Sequence, residues 1–296
     1  MKYSTKDIED IIYPYLPEEK GYAKPVLEAM NYAFRAGGKR LRPMMMKLCF
    51  DMFCDDGVDV NVVEPFMAAI EMIHTYSLIH DDLPALDNDE LRRGMPTVHV
   101  KYGEDIAVLA GDGLLNYAYQ VACGALRHKP GNVCIEKAMY ILTSKPGIYG
   151  MIGGQTLDVT MSGQELSDSQ LDYIYKNKTS ALIECAMTIG ATLAGASDEV
   201  IEMIEQVATC VGMAFQVQDD ILDVVGDAQK LGKPVLSDEK NDKYTYVTIH
   251  GMDVAKSYVH SMSDKANNIL NSLSVVNNDA KDCLMNLIVE LINRDK

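Results

Sequence analysis

The 296-residue chain has no apolar run that approaches the roughly 20 residues a membrane-spanning helix needs. Its N-terminus, MKYSTKDIEDIIYPY, is acidic where a secretory leader needs an apolar stretch. Both absences lead to the expectation of a cytoplasmic protein with no stable membrane association. Basic charge is also scarce, 27 Lys and Arg against 43 Asp and Glu, a formal net charge of −16. Nucleic acid and anionic surfaces attract clustered Lys and Arg, so neither is expected as a partner. No CxxC pair occurs among seven cysteines, which lie singly at Cys49, Cys54, Cys123, Cys134, Cys185, Cys210 and Cys283. Without a secretory context they are expected to be reduced residues of the core. Strand-like alternation is scarce, and repeats, low-complexity runs and Ser/Pro-rich linkers are lacking, so nothing divides the chain.

What is there is the mixture of a globular protein with a substantial core, 48% hydrophobic and 24% charged. Apolar residues recur at helical spacing, as in VVEPFMAAIEMIHTYSLIH and VIEMIEQVATCVGMAFQVQDDILDVV. Short breaks fall at GGKRLRP, DDLPALDND with RRGMP, PGIYGMIGG and GDAQKLGKPVLSDEKND. The reading is all-α, a single domain over residues 1–296 built from about ten or more helices. The 18 methionines are read as filling an irregular helix-packed core rather than as a lipid pocket.

Two acidic clusters carry the chemistry. Asp219 and Asp223 lie four residues apart on one helix face, with Asp220 beside them and Gln216 a turn earlier. Like charges at that spacing oppose each other, and the apolar flanks place the helix indoors, so a hard cation would remove the conflict. A solvated acidic face would explain one such cluster alone. A second, Asp81, Asp82 and Asp87, ends another apolar helix, and Pro84 breaks the helix so that Asp87 can return towards Asp81. Two such ends facing each other across a bundle would make a carboxylate metal site.

Cations accompany these acids. Gly37 and Gly38 precede Lys39, Arg40 and Arg42, three cations beside a glycine pair that lets a diphosphate approach the backbone. Arg92 and Arg93 follow the first acidic cluster, where phosphate clamps would stand beside metal ligands. His74 lies two helical turns before Asp81, and Lys178 with Thr179 and Lys233 within LGKP add polar groups at helix ends or loops.

Taken in order, GGKRLRP, HDDLPALDNDELRRGMPTVH, GGQTLD, YKNKTSAL, FQVQDDILD and LGKPVLSDEKNDKYTYV resemble the trans-type polyprenyl diphosphate synthases, especially the bacterial farnesyl diphosphate synthases. The resemblance implies a helical bundle of the isoprenoid synthase type with a central cavity, and a homodimer. It implies that Asp81, Asp82 and Asp87 with Asp219, Asp220 and Asp223 hold three Mg²⁺ on an allylic diphosphate, helped by Arg92, Lys178 and Lys233. Lys39, Arg42, His74 and Arg93 resemble the isopentenyl diphosphate site, and Thr179 and Gln216 the allylic lining. The implied reaction is head-to-tail condensation of isopentenyl diphosphate with dimethylallyl and geranyl diphosphates to farnesyl diphosphate.

Ser77 lies one helical turn, roughly 6 Å, below Asp81, and Tyr76 flanks it. A bulky residue five positions before the motif resembles the farnesyl-producing members, which makes Tyr76 and Ser77 the expected chain-length residues. Two positions depart from the family pattern: Leu236 stands where many relatives carry glycine, and Ser180 replaces a commoner glycine beside the pocket. Alternative readings are a geranylgeranyl diphosphate synthase, a class I terpene cyclase, a helical metal phosphohydrolase around His80 and His74, and a non-catalytic synthase subunit. GGKRLRP and Arg93 argue against a cyclase, and the other histidines match no phosphohydrolase site.

Overall fold

The computed structural model describes residues 3–225 and 244–292, and in them the chain is a helical bundle. In chain order the helices are α1 (Thr5–Ile12), α2 (Lys24–Arg35), α3 (Leu41–Phe53), α4 (Glu64–Asp81), α5 (Val98–Tyr102), α6 (Glu104–His128) and α7 (Val133–Ser144). They continue with α8 (Met151–Thr160), α9 (Asp168–Ile174), α10 (Ala181–Leu193), α11 (Asp198–Val225), α12 (Tyr246–His250), α13 (Met252–Ser272) and α14 (Asn278–Ile292). The all-α expectation holds, apart from a hairpin of β1 (Leu91–Arg92) against β2 (Met95–Pro96) with Arg92 opposite Met95. Its two-residue turn is Arg93–Gly94, both at positive φ (54° and 76°), the twist that a tight hairpin requires.

The centre of the bundle is α10. Every one of its residues is buried, in a sequence, ALIECAMTIGATL, that is apolar all the way round. Two of its polar side chains are partnered: the Thr188 hydroxyl donates to the Glu184 carbonyl at 2.6 Å, and the Glu184 carboxylate accepts from Lys145 Nζ at 2.5 Å and Thr209 Oγ1 at 2.7 Å. Around α10 stand α3, α4, α7 and α11, and α6 covers the outer side of α4. Helix α11 also closes a second apolar cluster on its other side, where Met213, Val217 and Ile221 meet Leu171, Tyr175 and Val259.

Two expectations change. Among the described residues α11 is long and apolar enough by length and composition to cross a membrane, because its apolar positions are closely grouped. Half of that window is buried inside the bundle. The cysteines are all free, but only Cys49, Cys185 and Cys210 are buried, while Cys54, Cys134 and Cys283 are half-buried and Cys123 is exposed. A small side chain goes wherever its helix face points, so residue type alone does not place it indoors.

Candidate active site

The C-terminal end of α4, the C-terminal part of α11, α8 and the segment between α9 and α10 enclose a cavity of about 720 Å³. Ten of the residues singled out in the sequence line it: Arg42, His74, Tyr76, Ser77, His80, Asp81, Lys178, Thr179, Gln216 and Asp219. One carboxylate from each acidic cluster, Asp81 and Asp219, therefore faces the same space from different helices.

The local chemistry of the first cluster follows from where α4 ends. After Asp81 the chain turns at Asp82 and Leu83, and the Asp87 amide donates back to the Asp81 carbonyl at 2.9 Å. The break at Pro84 thus returns Asp87 to its partner. Burial pushes the Asp81 carboxyl up to about 6, with Asp87 and Asp82 adding repulsion and Lys178 and Arg92 opposing it. Asp82 points elsewhere: it is 3% exposed and takes Arg92 Nε at 2.6 Å and Nη2 at 2.5 Å. As adjacent positions at a helix end, Asp81 and Asp82 leave the axis about 100° apart, so one meets the cavity and the other the hairpin.

On α11 the same division recurs. Asp219 lines the cavity, whereas Asp220 is buried in the apolar cluster behind α11. There it accepts from Tyr175 Oη at 2.5 Å, Gln216 Nε2 at 3.2 Å and the Tyr246 backbone amide at 3.0 Å. Asp220 ties three segments together and stands behind the cavity wall that Asp219 lines. Asp223, one turn beyond Asp219, is buried. Lys233 and Leu236 lie outside the described residues.

The segment Tyr175–Ser180 is a π-helical turn between α9 and α10, a widening of the helix that often accompanies functional sites. It presents Lys178 and Thr179 to the cavity. Lys178 Nζ donates to Asp158 at 2.5 Å, and Thr179 Oγ1 donates to Gln216 Oε1 at 2.6 Å. The glycines of GGQTLD have a reason here: a Cβ on Gly154 would stand 2.3 Å from the Lys178 backbone nitrogen, so only glycine lets α8 lie against this turn. Ser180 does not shape the cavity. Its Oγ donates to the Tyr175 carbonyl at 3.1 Å, and the residue sits fully buried against Gly212 of α11.

The cationic loop divides too. Arg42 lines the cavity, and its buried Nε has no hydrogen-bond partner among the described residues. Burial lowers its pKa to about 10, which leaves it charged at neutral pH. His74 is held well below the usual imidazole range by burial and by Arg42, Arg93 and Arg92, so it stays neutral. Arg93 lies on Gly38, where a Cβ would stand 2.6 Å from its guanidinium carbon, and Nη1 donates to the Gly37 carbonyl. Arg40, read from sequence as a third diphosphate cation, turns into the core instead and pairs with Glu71 at 2.8 Å and Glu9 at 3.1 Å. Lys39 is exposed and, with Arg92 and Arg93, lies outside the cavity wall.

Two cavity residues escaped the sequence reading. Gln155 Nε2 donates to Asp81 Oδ1 at 2.8 Å while its buried Oε1 has no partner among the described residues; its signal was the GGQTLD motif. Asp112 reaches the cavity from α6, its only signal an acid between two glycines of an apolar helix.

Among the described residues no three His, Cys, Asp or Glu side chains converge as a self-sufficient metal site. The donors are nevertheless hard oxygens, and Asp81 is a carboxylate whose charge is opposed by burial and by its neighbours. That donor set suits a cation such as Mg²⁺ bound through one or two carboxylates and completed by phosphate oxygens.

The polyprenyl synthetase family model matches residues 23–284. The chain is 42% identical over 251 residues to the farnesyl diphosphate synthase of Escherichia coli, covering 84% of this chain and 83% of that one. It is 40% identical over 243 residues to the large subunit 1 of a chloroplastic heterodimeric geranylgeranyl pyrophosphate synthase from Arabidopsis thaliana, covering 81% of this chain and 65% of that one. A geranyltransferase from Helicobacter pylori, solved with magnesium and isoprenyl diphosphate, superposes with a TM-score of 0.84 at 30% identity, over 96% of this chain and 93% of that chain. With two opposed aspartate helices around one cavity, a cationic loop at its side and this extent of likeness, the chain belongs to the polyprenyl synthetase family of prenyltransferases.

Proposed function

We propose that the protein condenses isopentenyl diphosphate head to tail with dimethylallyl and then geranyl diphosphate, stopping at farnesyl diphosphate. The observation that carries this reading is the pairing, in one cavity, of two carboxylates from separate helices with an arginine whose buried Nε lacks a partner among the described residues. One end thus holds donors for a metal-bound diphosphate and the other a cation for a second diphosphate.

Asp81 and Asp219, with Asp82, Asp87, Asp220 and Asp223 behind them, would hold Mg²⁺, three ions by the family resemblance. When bound, Mg²⁺ supplies the positive charge that makes diphosphate a competent leaving group. Lys178 and Arg92 add fixed positive charge on the allylic side, where stabilisation of the departing anion is the main catalytic effect. Arg42, with Lys39, Arg93 and the neutral His74, would orient isopentenyl diphosphate so that its double bond faces the allylic carbon. Thr179 and Gln216, joined at 2.6 Å, place oxygen dipoles beside the carbon that becomes cationic. The apolar wall, Leu115, Met151, Leu182 and Phe215, excludes water from that cation. The proton lost at the end passes to the released diphosphate, itself a base held beside the reacting carbons.

Tyr76 is 6% exposed on that wall and meets His80 edge to face, with ring centroids 5.8 Å apart. A buried ring braced by His80 is a stop, which favours a fifteen-carbon product over a longer one. The reading includes a homodimeric, cytoplasmic enzyme built as one domain, with no nucleic-acid or stable membrane partner. The test is a product assay with isopentenyl diphosphate and each allylic primer, with and without Mg²⁺, resolving prenols by chain length. A metal-dependent fifteen-carbon product is expected. Twenty carbons would make it a geranylgeranyl diphosphate synthase, and no growth with any primer would favour a non-catalytic subunit.

A further inference from the structure

Outside the cavity, the chain's most elaborate charged cluster surrounds Arg40. The side chain is fully buried, and its donors are used by groups from four places in the fold. Nε donates to Glu9 at 3.1 Å, Nη1 to Glu71 at 2.8 Å, and Nη2 to Tyr13 Oη at 3.2 Å and the Phe34 carbonyl at 2.7 Å. Tyr13 Oη in turn donates to Glu9 at 2.6 Å. Helix α1 brings Glu9 here because the neighbouring Ile8 and Ile12 are fully buried and hold the helix against the bundle, and the turn after α1 brings Tyr13.

Arg40 itself sits at φ 50°, a left-handed conformation that is strained for a residue with a Cβ and persists only when its surroundings enforce it. It is the residue immediately before α3, with Lys39 on one side and Arg42 on the other. The backbone angle at this one position therefore sets where both flanking cations point. Arg42 has no hydrogen bond to its buried Nε among the described residues, so its aim into the cavity depends on the backbone that carries it.

We infer that Glu9 and Tyr13 are positioning residues for diphosphate recognition, acting through Arg40 to hold the Lys39–Arg42 segment at the start of α3 in its binding conformation. This rests on the assignment of that segment to isopentenyl diphosphate. Both residues precede the matched range of 23–284. The N-terminal helix is thereby part of substrate selection on one side of the cavity and not the other. A merely structural cluster would affect stability and both substrates alike.

The experiment compares wild type with Glu9→Gln and Tyr13→Phe, measuring initial rates in Mg²⁺ against isopentenyl and geranyl diphosphate separately. Each substitution weakens or removes one hydrogen bond, for which KM for isopentenyl diphosphate is expected to rise about three- to tenfold. KM for geranyl diphosphate and the melting temperature are expected to change little. An equal rise in both KM values, or an unchanged isopentenyl KM in a folded variant, overturns the inference. If wild type extends no primer, the prenyl-transfer reading has failed, and calorimetric binding of isopentenyl diphosphate without metal decides the positioning role alone. Weaker binding by Tyr13→Phe than by wild type supports it, and equal or absent binding overturns it.

Discussion

Arg40 and Arg42 stand two residues apart at the start of α3, and their surroundings are opposite. Around Arg40 the buried guanidinium meets two carboxylates, a phenol and a carbonyl within hydrogen-bonding distance. At the cavity, Arg42 keeps an Nε unpartnered among the described residues, Asp81 is driven towards neutrality, and His74 is held uncharged. The first region spends its charges on holding the start of α3; the second leaves charges whose desolvation is not balanced within the described chain. Such an imbalance costs stability, and a bound ion or diphosphate would remove it.

The contrast breaks most severely if the cavity charges are removed. Asp81→Ala or Asp219→Ala is expected to lower turnover by at least about 10²–10³-fold, the scale of losing a transition-state charge contact, while the circular-dichroism melt stays near wild type. A near-normal rate in either would end the metal assignment. The Arg40 side should answer in the opposite currency of stability: Arg40→Met leaves Glu71 buried and unpaired and is expected to cost about 3–5 kcal/mol in urea unfolding. A melt unchanged from wild type would show that the cluster is not a scaffold.

Between these lies Tyr76→Ala, which opens the cavity wall without altering a charge and is expected to lengthen the product. An unchanged prenol distribution would remove Tyr76 as the stop. The smallest effect concerns Asp81→Asn in metal-free protein. The folded carboxyl titrates near 6 against an ordinary value of 3.8, so between those values the folded state holds more protons than the unfolded one. Stability therefore falls as pH rises through that window, and the cost is fully present above it. Asparagine is expected to restore about 1–2 kcal/mol at pH 7, allowing for the cavity's access to solvent, and nothing at pH 3. Equal melting temperatures for both proteins at pH 7 would refute the strain at Asp81.

Much of the site could be read along the chain because its parts are local signals. The turn at Pro84, the i,i+4 pair Asp219 and Asp223, and the order of the motifs need no fold to be seen. What could not be read was which member of an adjacent pair faces inward. Asp81 and Asp82, Asp219 and Asp220, and Arg40 and Arg42 have the same chemistry in sequence, yet one of each pair lines the cavity and the other is committed to the surrounding structure. Ser180 looked like a change of pocket shape and is a helix contact instead. Gln155 was inside a motif but had no role until Asp81 appeared beside it.

The sequence by itself determined the helical class, the acidic and basic stations of the site and the family to which they belong, because periodicity and motif spacing are properties of neighbouring residues. Only the tertiary structure decided which charges are neutralised within the chain. Burial and partnering depend on residues far apart in sequence, such as Glu9, Arg40 and Glu71, or Asp81 and Gln155. Desolvation acts on a group according to everything folded around it, and no local pattern carries that information.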